Sequence, residues 1–352
     1  MLIYQIMLGI AALFSLLMHR IDVRTPNTGL ALSLGAFGLF YSLVSALRLE
    51  VGGDWFAYLY MFGTVRLGGL GEAFTATDPG FGLLLYISNG LGTGIYLVNG
   101  ICSAILFYGV ARAALQTREP WLAVAVSVPY LLIVVGMGYV RQAAAIGLVL
   151  AAVDAVRRER IPRALGMLGV ATLFHSTAIV TWPLFAVALA NRNKLRYLLF
   201  STAGVVAMWY LILNRLGEFG EDYLGASYES GGALVRLLMG VIPSLLLLVS
   251  IRRFDVGGRA RSIWIGFAIA NILALLAFFL SPSSTAVDRL ALYFTGVQLV
   301  AFGSIGDLLG SSLKGRTLLR LLVVAYATAT LLVWLLYATN ASAWVPYKSV
   351  LI

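Results

Sequence analysis

The first residues that could do chemistry lie just beyond the second long apolar run. Arg48, Glu50 and Asp54 fall within seven residues, and a Gly-Gly pair separates the two carboxylates. An arginine beside carboxylates could bind an anion and activate a hydroxyl group. The alternative is interfacial anchoring, with Trp55 and Tyr58 in an aromatic belt and Arg48 snorkelling to headgroups. We favour the functional interpretation, because a Gly-Gly joint beside charges makes a poor anchor.

A second group opens the apolar run AAAIGLVLAAV. Arg141 and Gln142 come directly before it, after the stretch Gly136-Met-Gly-Tyr-Val. An arginine at a helix N-terminus adds its charge to the positive helix end, and the two together suit an anion. Snorkelling to headgroups is the alternative explanation.

A histidine lies between two apolar segments. His175 follows Phe174 and precedes Ser176 and Thr177. An ionisable group in such surroundings is a candidate base, acid or hydrogen-bond donor. A neutral histidine that is satisfied by a helix–helix hydrogen bond is an equally good interpretation.

The fourth group is Asp288-Arg289, with Tyr293 four positions after the arginine. This spacing predicts that Arg289 and Tyr293 share one face of a helix. Asp288 could cap that helix and pair with its neighbour. We expect Arg289 and Tyr293 to contact a substrate.

Familiar catalytic and metal-binding motifs are absent from the sequence. It contains no phosphate loop, no His-Glu-x-x-His and no Gly-x-Ser-x-Gly. Two histidines and a single cysteine argue against a transition-metal site. We therefore expect neither a metal nor a cofactor.

The composition places these residues in a membrane protein. The chain is 61% hydrophobic and 11% charged, whereas soluble domains carry roughly a quarter charged residues. The net charge of +10 does not indicate nucleic-acid binding, because the basic residues form small groups between apolar runs rather than a continuous stripe. Positive-inside topology explains them better.

Apolar runs long enough to cross about 30 Å of hydrocarbon recur along the chain. They predict an all-α, polytopic membrane protein with about twelve transmembrane helices, forming a single domain over 1–352 with larger outward loops at about 48–79 and 214–233. We expect Asn89-Gly90 and the glycines after it to break the third run, and the His175 region to be broken or re-entrant. The expected helices lie near 1–18, 29–47, 80–111, 121–137, 139–156, 163–174, 176–190, 196–213, 234–251, 262–280, 288–305 and 318–338.

The basic groups predict the orientation. Their members hold 18 of the 25 Lys and Arg residues and fall on one side of this topology, which the positive-inside rule assigns to the cytoplasm. Arg48, Arg141 and Arg289 then lie at the outer boundary of the membrane. Three cations at that depth would suit a lipid-linked diphosphate, which arginine binds through paired hydrogen bonds.

With these motifs in place, the sequence resembles the EpsG-like group of Wzy-type polysaccharide polymerases, which includes O-antigen, exopolysaccharide and capsule polymerases. The resemblance spans nearly the full chain. The motifs that carry it are, in order, Arg48 to Tyr58, Asp78-Pro79-Gly80-Phe81, Arg141-Gln142, Phe174-His175-Ser176-Thr177, Asp288-Arg289 with Tyr293, and Val345-Pro346-Tyr347.

The resemblance implies a GT-C-like, metal-independent glycosyltransferase. Such an enzyme joins undecaprenyl-diphosphate-linked oligosaccharide repeats on the outer face of the bacterial cytoplasmic membrane and releases undecaprenyl diphosphate. Donor and acceptor are both lipid-linked repeats, and a chain-length regulator and a flippase are candidate partners. Residues expected in catalysis are His175, Asp54, Arg141 and Arg289, and residues expected to bind diphosphate or glycan are Arg48, Gln142, Ser176, Tyr293, Tyr347 and Tyr58.

Two other classes of protein would use similar residues. A lipid-linked oligosaccharide flippase or exporter should place charges along a path through the bilayer and show two comparable halves, which we do not see. A glycan ligase or a membrane O-acyltransferase is the nearer competitor, because a membrane histidine and outer arginines serve those reactions too.

Overall fold

The computed structural model describes residues 1–18, 21, 27–190, 232–281, 284–309 and 313–351, which form helices joined by turns. The predicted helix near 196–213 and most of the predicted loop at 214–233 lie outside these residues. The helices are α1 (Leu2–Leu17), α2 (Thr28–Ala46), α3 (Trp55–Thr75), α4 (Pro79–Gly90), α5 (Gly94–Ala114), α6 (Pro120–Gly138), α7 (Val140–Arg157), α8 (Ile161–Phe174), α9 (Ser176–Leu189), α10 (Ala233–Ser250), α11 (Gly258–Leu280), α12 (Ser284–Ala291), α13 (Val297–Gly303) and α14 (Leu313–Tyr337).

The helices are those of a membrane protein. Six of them, α2, α5, α6, α10, α11 and α14, are long and apolar enough to cross a bilayer. Three shorter apolar helices, α1, α8 and α9, accompany them. The all-helical prediction is therefore confirmed for the described residues, and the six candidate spans agree with a polytopic membrane protein, while the predicted count of twelve crossings is not established.

Helices α2 and α5 run antiparallel. A methyl group on Gly100 would lie 3.2 Å from Ala46, and one on Gly38 would meet the Phe107 ring. The end of α2 and the start of α5 therefore lie at the same end of the bundle. Helices α3 and α4 connect α2 to α5, so α3 begins at that end and α4 finishes there.

Most of the predicted outward loop at about 48–79 is helical, since residues 55–75 form α3, with a non-helical residue at Gly69. Glycines and charges give this segment the composition of a loop. However, Trp55, Tyr58, Val65 and Ala73 are buried, so burial of one face stabilises the helix despite weak intrinsic propensity.

Two predicted breaks are confirmed. Helix α4 ends at Gly90, and α5 begins at Gly94 after left-handed backbone at Gly92 (φ 67°). Helix α8 ends at Phe174, and His175 has extended backbone (φ −156°, ψ 113°) before a 3₁₀ turn opens α9. Each break frees backbone groups and places polar side chains at a helix end.

The two ends of the bundle differ in charge. Helix α7 carries Arg141 in its first turn and Arg157 in its last. Near its end, the buried Asp154 pairs with Arg112, Arg157 and Arg158. We call the end that holds Arg141 the cluster end, and the end that holds Asp154 the arginine-rich end.

Candidate functional site

Asp78 connects three elements at the cluster end. Its Oδ2 atom lies 3.0 Å from Arg141 Nη1 and 3.2 Å from His175 Nδ1, and its Oδ1 atom accepts the Ser176 N–H at 3.0 Å. The Asp78 side chain is only 2% exposed. This one carboxylate therefore fixes the start of α4, the start of α7 and the α8–α9 break relative to one another.

Local sequence explains why these groups can meet. Pro79 occupies the first turn of α4, where no N–H is needed, and leaves Asp78 just outside the helix. The extended backbone at His175 aims the Ser176 N–H out of the helix axis. Arg141 lies in the first turn after the non-helical residue Tyr139 (φ −124°, ψ 59°). Three interrupted helices thus supply a carboxylate, an imidazole and a guanidinium.

Charge and hydrogen bonding hold Asp78 ionised. Burial alone would raise the pKa of Asp78, but the hydrogen bond from His175, the Arg141 guanidinium and the Ser176 N–H outweigh it and lower that pKa below its ordinary value. An ionised carboxylate can only accept, so Nδ1 of neutral His175 must carry the proton that it shares with Asp78. His175 Nε2 is then the nitrogen able to take up a proton.

Arg289 lies at the more open part of the cluster. Its guanidinium carbon is 3.8 Å from the centroid of the Tyr139 ring, and Nη1 lies 3.8 Å from Asp54 Oδ2. The side chains of Arg289 and Asp54 are 34% and 31% exposed. Stacking on an aromatic face fixes the plane of the guanidinium group.

Asp54 lies within the electrostatic range of both arginines. Burial raises the pKa of the Asp54 carboxyl, while the charges of Arg289 and Arg141 and a hydrogen bond from Tyr58 oppose that rise. The charges of two arginines from separate helices thus oppose the effect of burial on the pKa of one carboxyl, and Arg289 lies 3.8 Å from it. Asp54 is an acceptor for protons or hydroxyl groups at the same place where anions would bind.

Arg141 is held from several sides. Its Nη1 also donates to Thr77 Oγ1 at 3.0 Å, and its guanidinium lies 6.0 Å from the Tyr58 ring and 5.9 Å from the Phe81 ring. Its Nε atom is buried and has no hydrogen-bond partner among the described residues. Tyr58 is therefore a packing neighbour of Arg141 in this structure.

Gln142 is directed at the backbone of Arg289. Its Nε2 atom donates to the Arg289 main-chain oxygen at 2.6 Å, and the side chain is almost fully buried. Its Oε1 atom finds no hydrogen-bond partner in the described part of the chain. This bond links the start of α7, which carries Arg141, to α12, which carries Arg289.

Tyr293 lies beside the first turn of α9, close to the His175 break. Its ring is fully buried, and its hydroxyl lies 3.0 Å from Thr177 Oγ1. The chain changes from α12 to a 3₁₀ turn at Leu292, between Arg289 and Tyr293. Tyr293 supports the first turn of α9.

Arg48 and Tyr347 lie in a separate region. Arg48 is fully buried and donates to Val51 O, to both oxygens of Ser45 and to Asn99 Oδ1. The Tyr347 hydroxyl donates to Val44 O at 2.7 Å. The structure does not bring these two residues to the Asp78 and Arg289 contacts. Both tie the end of α2 to neighbouring segments.

Comparison with known proteins gives the family. The sequence profile of the EpsG family matches residues 32–349, a range that contains every residue of the cluster. The chain belongs to the EpsG family.

EpsG is a Wzy-like polymerase family. Membership gives the chain a polysaccharide polymerase-like function of the glycosyltransferase type. No curated protein matches the chain. No solved structure matches it either.

The sequence alone does not identify two residues of this EpsG-family cluster as site residues. Asp78 was noted only within the Asp-Pro motif, and the signal that could have identified it was an acidic residue directly before a helix-starting proline. Tyr139 lies between Gly138 and Arg141, and nothing in its spacing indicates that it stacks on Arg289.

A further arginine at the cluster end was also missed. Arg236, in the first turn of α10, forms an ion pair with Asp288 at 2.9 Å, and the two side chains are 13% and 11% exposed. Asp288 lies inside α12, which begins at Ser284, so the expected capping role is wrong. Its carboxylate neutralises Arg236 beside Arg289. The signal that could have identified it was another arginine in the first turn of an apolar helix.

The described residues include no group of three or more His, Cys, Asp or Glu side chains that could hold a metal ion. The candidate site therefore consists of guanidinium, carboxylate, imidazole and aromatic groups.

Proposed function

We propose that this chain joins undecaprenyl-diphosphate-linked oligosaccharide repeats on the outer face of the cytoplasmic membrane and releases undecaprenyl diphosphate. One observation carries the proposal: Arg141 shares the Asp78 carboxylate with His175, and the neighbouring Gln142 bonds to the backbone of Arg289, whose guanidinium lies 3.8 Å from Asp54. Two cations next to proton acceptors suit a reaction in which a diphosphate leaves and a hydroxyl attacks.

In the proposed reaction, a hydroxyl oxygen of the acceptor repeat attacks the anomeric carbon of the donor repeat. The bond from that carbon to the diphosphate oxygen breaks, and the diphosphate leaves with the electron pair. Negative charge on the leaving group grows in the transition state, so Arg289 and Arg141 stabilise it more than the ground state. Losing one such cation costs about a hundredfold in rate.

We propose that His175 accepts the proton of the attacking hydroxyl group. Asp78 accepts from Nδ1, which orients the ring and leaves Nε2 as the acceptor, an arrangement also used by carboxylate–histidine pairs in other enzymes. Asp54 then orients the attacking hydroxyl beside Arg289. The alternative is that Asp54 takes the proton, since burial raises its pKa.

In this proposal, Arg48 has a structural role. Its guanidinium bonds to neutral oxygens inside the protein, so it keeps the turn before Asp54 in place. Ser176 supports Asp78, and Gln142 supports Arg289. Glycan contacts of Tyr58, Tyr293 and Tyr347 would require movement of side chains that now pack or hydrogen-bond within the protein.

The orientation follows from charge. Arg112, Arg157 and Arg158 lie at the arginine-rich end, and the positive-inside rule directs that end to the cytoplasm. The cluster end then faces outward, where lipid-linked repeats would be joined. The proposed chemistry uses no cofactor and no metal, and a flippase and a chain-length regulator are proposed partners.

The test is polymerisation by the purified protein in nanodiscs, with undecaprenyl-diphosphate repeats from its own host and glycan length read on a gel. We expect a ladder for the wild type and at least about a hundredfold loss for Arg289→Ala. Arg259→Ala is the matched control, because Arg259 pairs with one carboxylate, Glu159, at the opposite end. Repeats that cross vesicles without being joined would overturn the proposal in favour of a flippase.

A further inference from the structure

Three segments of the chain meet directly beside Asp54 and Tyr139. They are the turn at 48–54, the last turn of α6 with Tyr139 (136–139), and the segment at 341–345. The Gly52 N–H donates to Ala343 O at 2.8 Å. A methyl group on Gly52 would clash with the main-chain oxygen of Met137. The turn at 48–54 and the last turn of α6 therefore cross with their backbones in close approach. The segment at 341–345 is hydrogen-bonded to this crossing through Ala343.

Trp344 lies at the centre of this crossing and is fixed in orientation. Its side chain is 1% exposed, and Nε1 donates to Ile133 O at 3.2 Å. Its main-chain oxygen accepts from the Tyr4 hydroxyl at 2.8 Å. The Trp334 ring meets the indole edge to face, with centroids 5.5 Å apart. Three separate elements, α6, α1 and α14, thus hold Trp344 in one place.

The far edge of the indole lies against Gly138 and close to Gly53. A methyl group on Gly138 would lie 2.5 Å from Trp344 Cζ2, and one on Gly53 would lie 3.5 Å from Cη2. Gly53 directly precedes Asp54, and Gly138 directly precedes Tyr139. The indole therefore lies beside the backbone at Gly53 and at Gly138, and the residue after each glycine, Asp54 or Tyr139, lies next to Arg289.

We propose that Trp344 is a positioning residue whose indole sets the spacing between Asp54 and Tyr139, and thereby the place of the Arg289 guanidinium between them. The inference rests on the proposed function of Arg289. Trp344 itself reaches no substrate, because it is buried beneath both turns. It acts only through the two turns that it separates.

This geometry predicts compensation between two substitutions. Trp344→Phe removes the ring carbons that touch Gly138 and Gly53, and leaves space at the crossing. Gly138→Ala adds a methyl group at the same point and forces the turns apart. In the double variant, the added methyl group fills the space that the shorter ring leaves.

The kinetic test uses polymerisation in nanodiscs with kcat and KM measured separately. We expect each single variant to lower kcat by about tenfold or more, since misplacement by about 1 Å can cost a hundredfold, with KM changed less than about twofold. The double variant should recover to within about threefold of wild type. Trp264→Phe is the matched control, because Trp264 is equally buried at the arginine-rich end and donates to Gln116 Oε1.

A cryo-EM structure of each variant supplies a measurement that does not depend on the reaction. We expect Arg289 to leave its position 3.8 Å from the Tyr139 ring in the single variants and to return in the double variant. Unchanged kcat in a folded Trp344→Phe protein, or Arg289 still in place in both single variants, would overturn the inference. A wild type that joins no repeats would remove the proposed function, while the position of Arg289 would still decide the positioning role.

Discussion

Asp78 Oδ2 lies 3.0 Å from Arg141 Nη1, and this ion pair joins the start of α4 to the start of α7. The same oxygen lies 3.2 Å from His175. A buried carboxylate that serves an arginine and a histidine at once cannot be replaced without changing both. The proposed anion-binding and proton-accepting groups are therefore coupled through one side chain that contacts no substrate.

Asp78→Asn removes the charge that couples Arg141 to His175 without changing the volume of the side chain. The amide keeps the size of the carboxylate but offers an N–H to groups that are themselves donors, so Arg141 and His175 lose their orientation. We expect kcat/KM for polymerisation to fall by at least about a hundredfold. Glu159→Gln, at the arginine-rich end, is the control. Activity within about threefold of wild type in folded Asp78→Asn protein would contradict the assigned role.

Asp78 should also give the protein an acid-sensitive part of its stability. Its pKa in the folded state lies below the ordinary value of 3.8, so its contribution is present above that value and is lost as pH falls through the folded pKa. The difference in Tm between wild type and Asp78→Asn should shrink as pH is lowered from about 6 to about 3. A difference that stays constant over this range would show that Asp78 adds no such stability.

Asp54→Asn should have opposite effects on stability and activity. Burial raises the pKa of Asp54, so the charged form costs stability at neutral pH, and that cost grows as pH rises from the unfolded to the folded pKa. We expect Tm at neutral pH to rise by about 1 to 2 °C, while kcat falls at least about tenfold. A lower Tm in the variant would mean that the Arg289 contact stabilises the fold more than burial destabilises it.

The membrane helices could be predicted because their signal is local. Length and apolarity of each run are enough to give α2 (Thr28–Ala46) and α5 (Gly94–Ala114) within a few residues. Helix α3 was missed because its stability comes from burying Trp55 and Tyr58 against other elements, which no local pattern of glycines and charges reports.

The cluster was partly predictable for a related reason. His175 and Arg141 stand out because ionisable residues among apolar runs are rare. Their common partner, Asp78, could not be assigned, since it lies 63 positions from Arg141 and 97 from His175. Arg48 resembled the other outer arginines in sequence, and only the hydrogen bonds to neutral oxygens show that it faces inward.

Arg48→Ala tests that inward role. Removing the side chain leaves Asn99 Oδ1 and Val51 O buried without their donor, at about 1 to 3 kcal/mol for each unsatisfied group. We expect a lower yield of monodisperse protein in gel filtration and a lower Tm. Arg289→Ala should leave both unchanged and remove activity. Normal yield and Tm for Arg48→Ala with loss of polymerisation alone would instead indicate a direct contact with substrate.

Gly52→Ala tests whether the backbone crossing beneath Asp54 has room for any side chain. Gly52 has φ 109°, which L residues rarely adopt, and an added methyl group would meet Met137 O. Strain of this kind costs on the order of 1 to 3 kcal/mol before the clash is counted. We expect a lower Tm together with loss of polymerisation, measured by thermal unfolding and by the gel ladder. Gly9→Ala is the control, because a methyl group there meets nothing within 4 Å and alanine favours a helix. If Gly52→Ala unfolds at the wild-type temperature and remains active, the two turns are free to move apart, and the site does not depend on their contact.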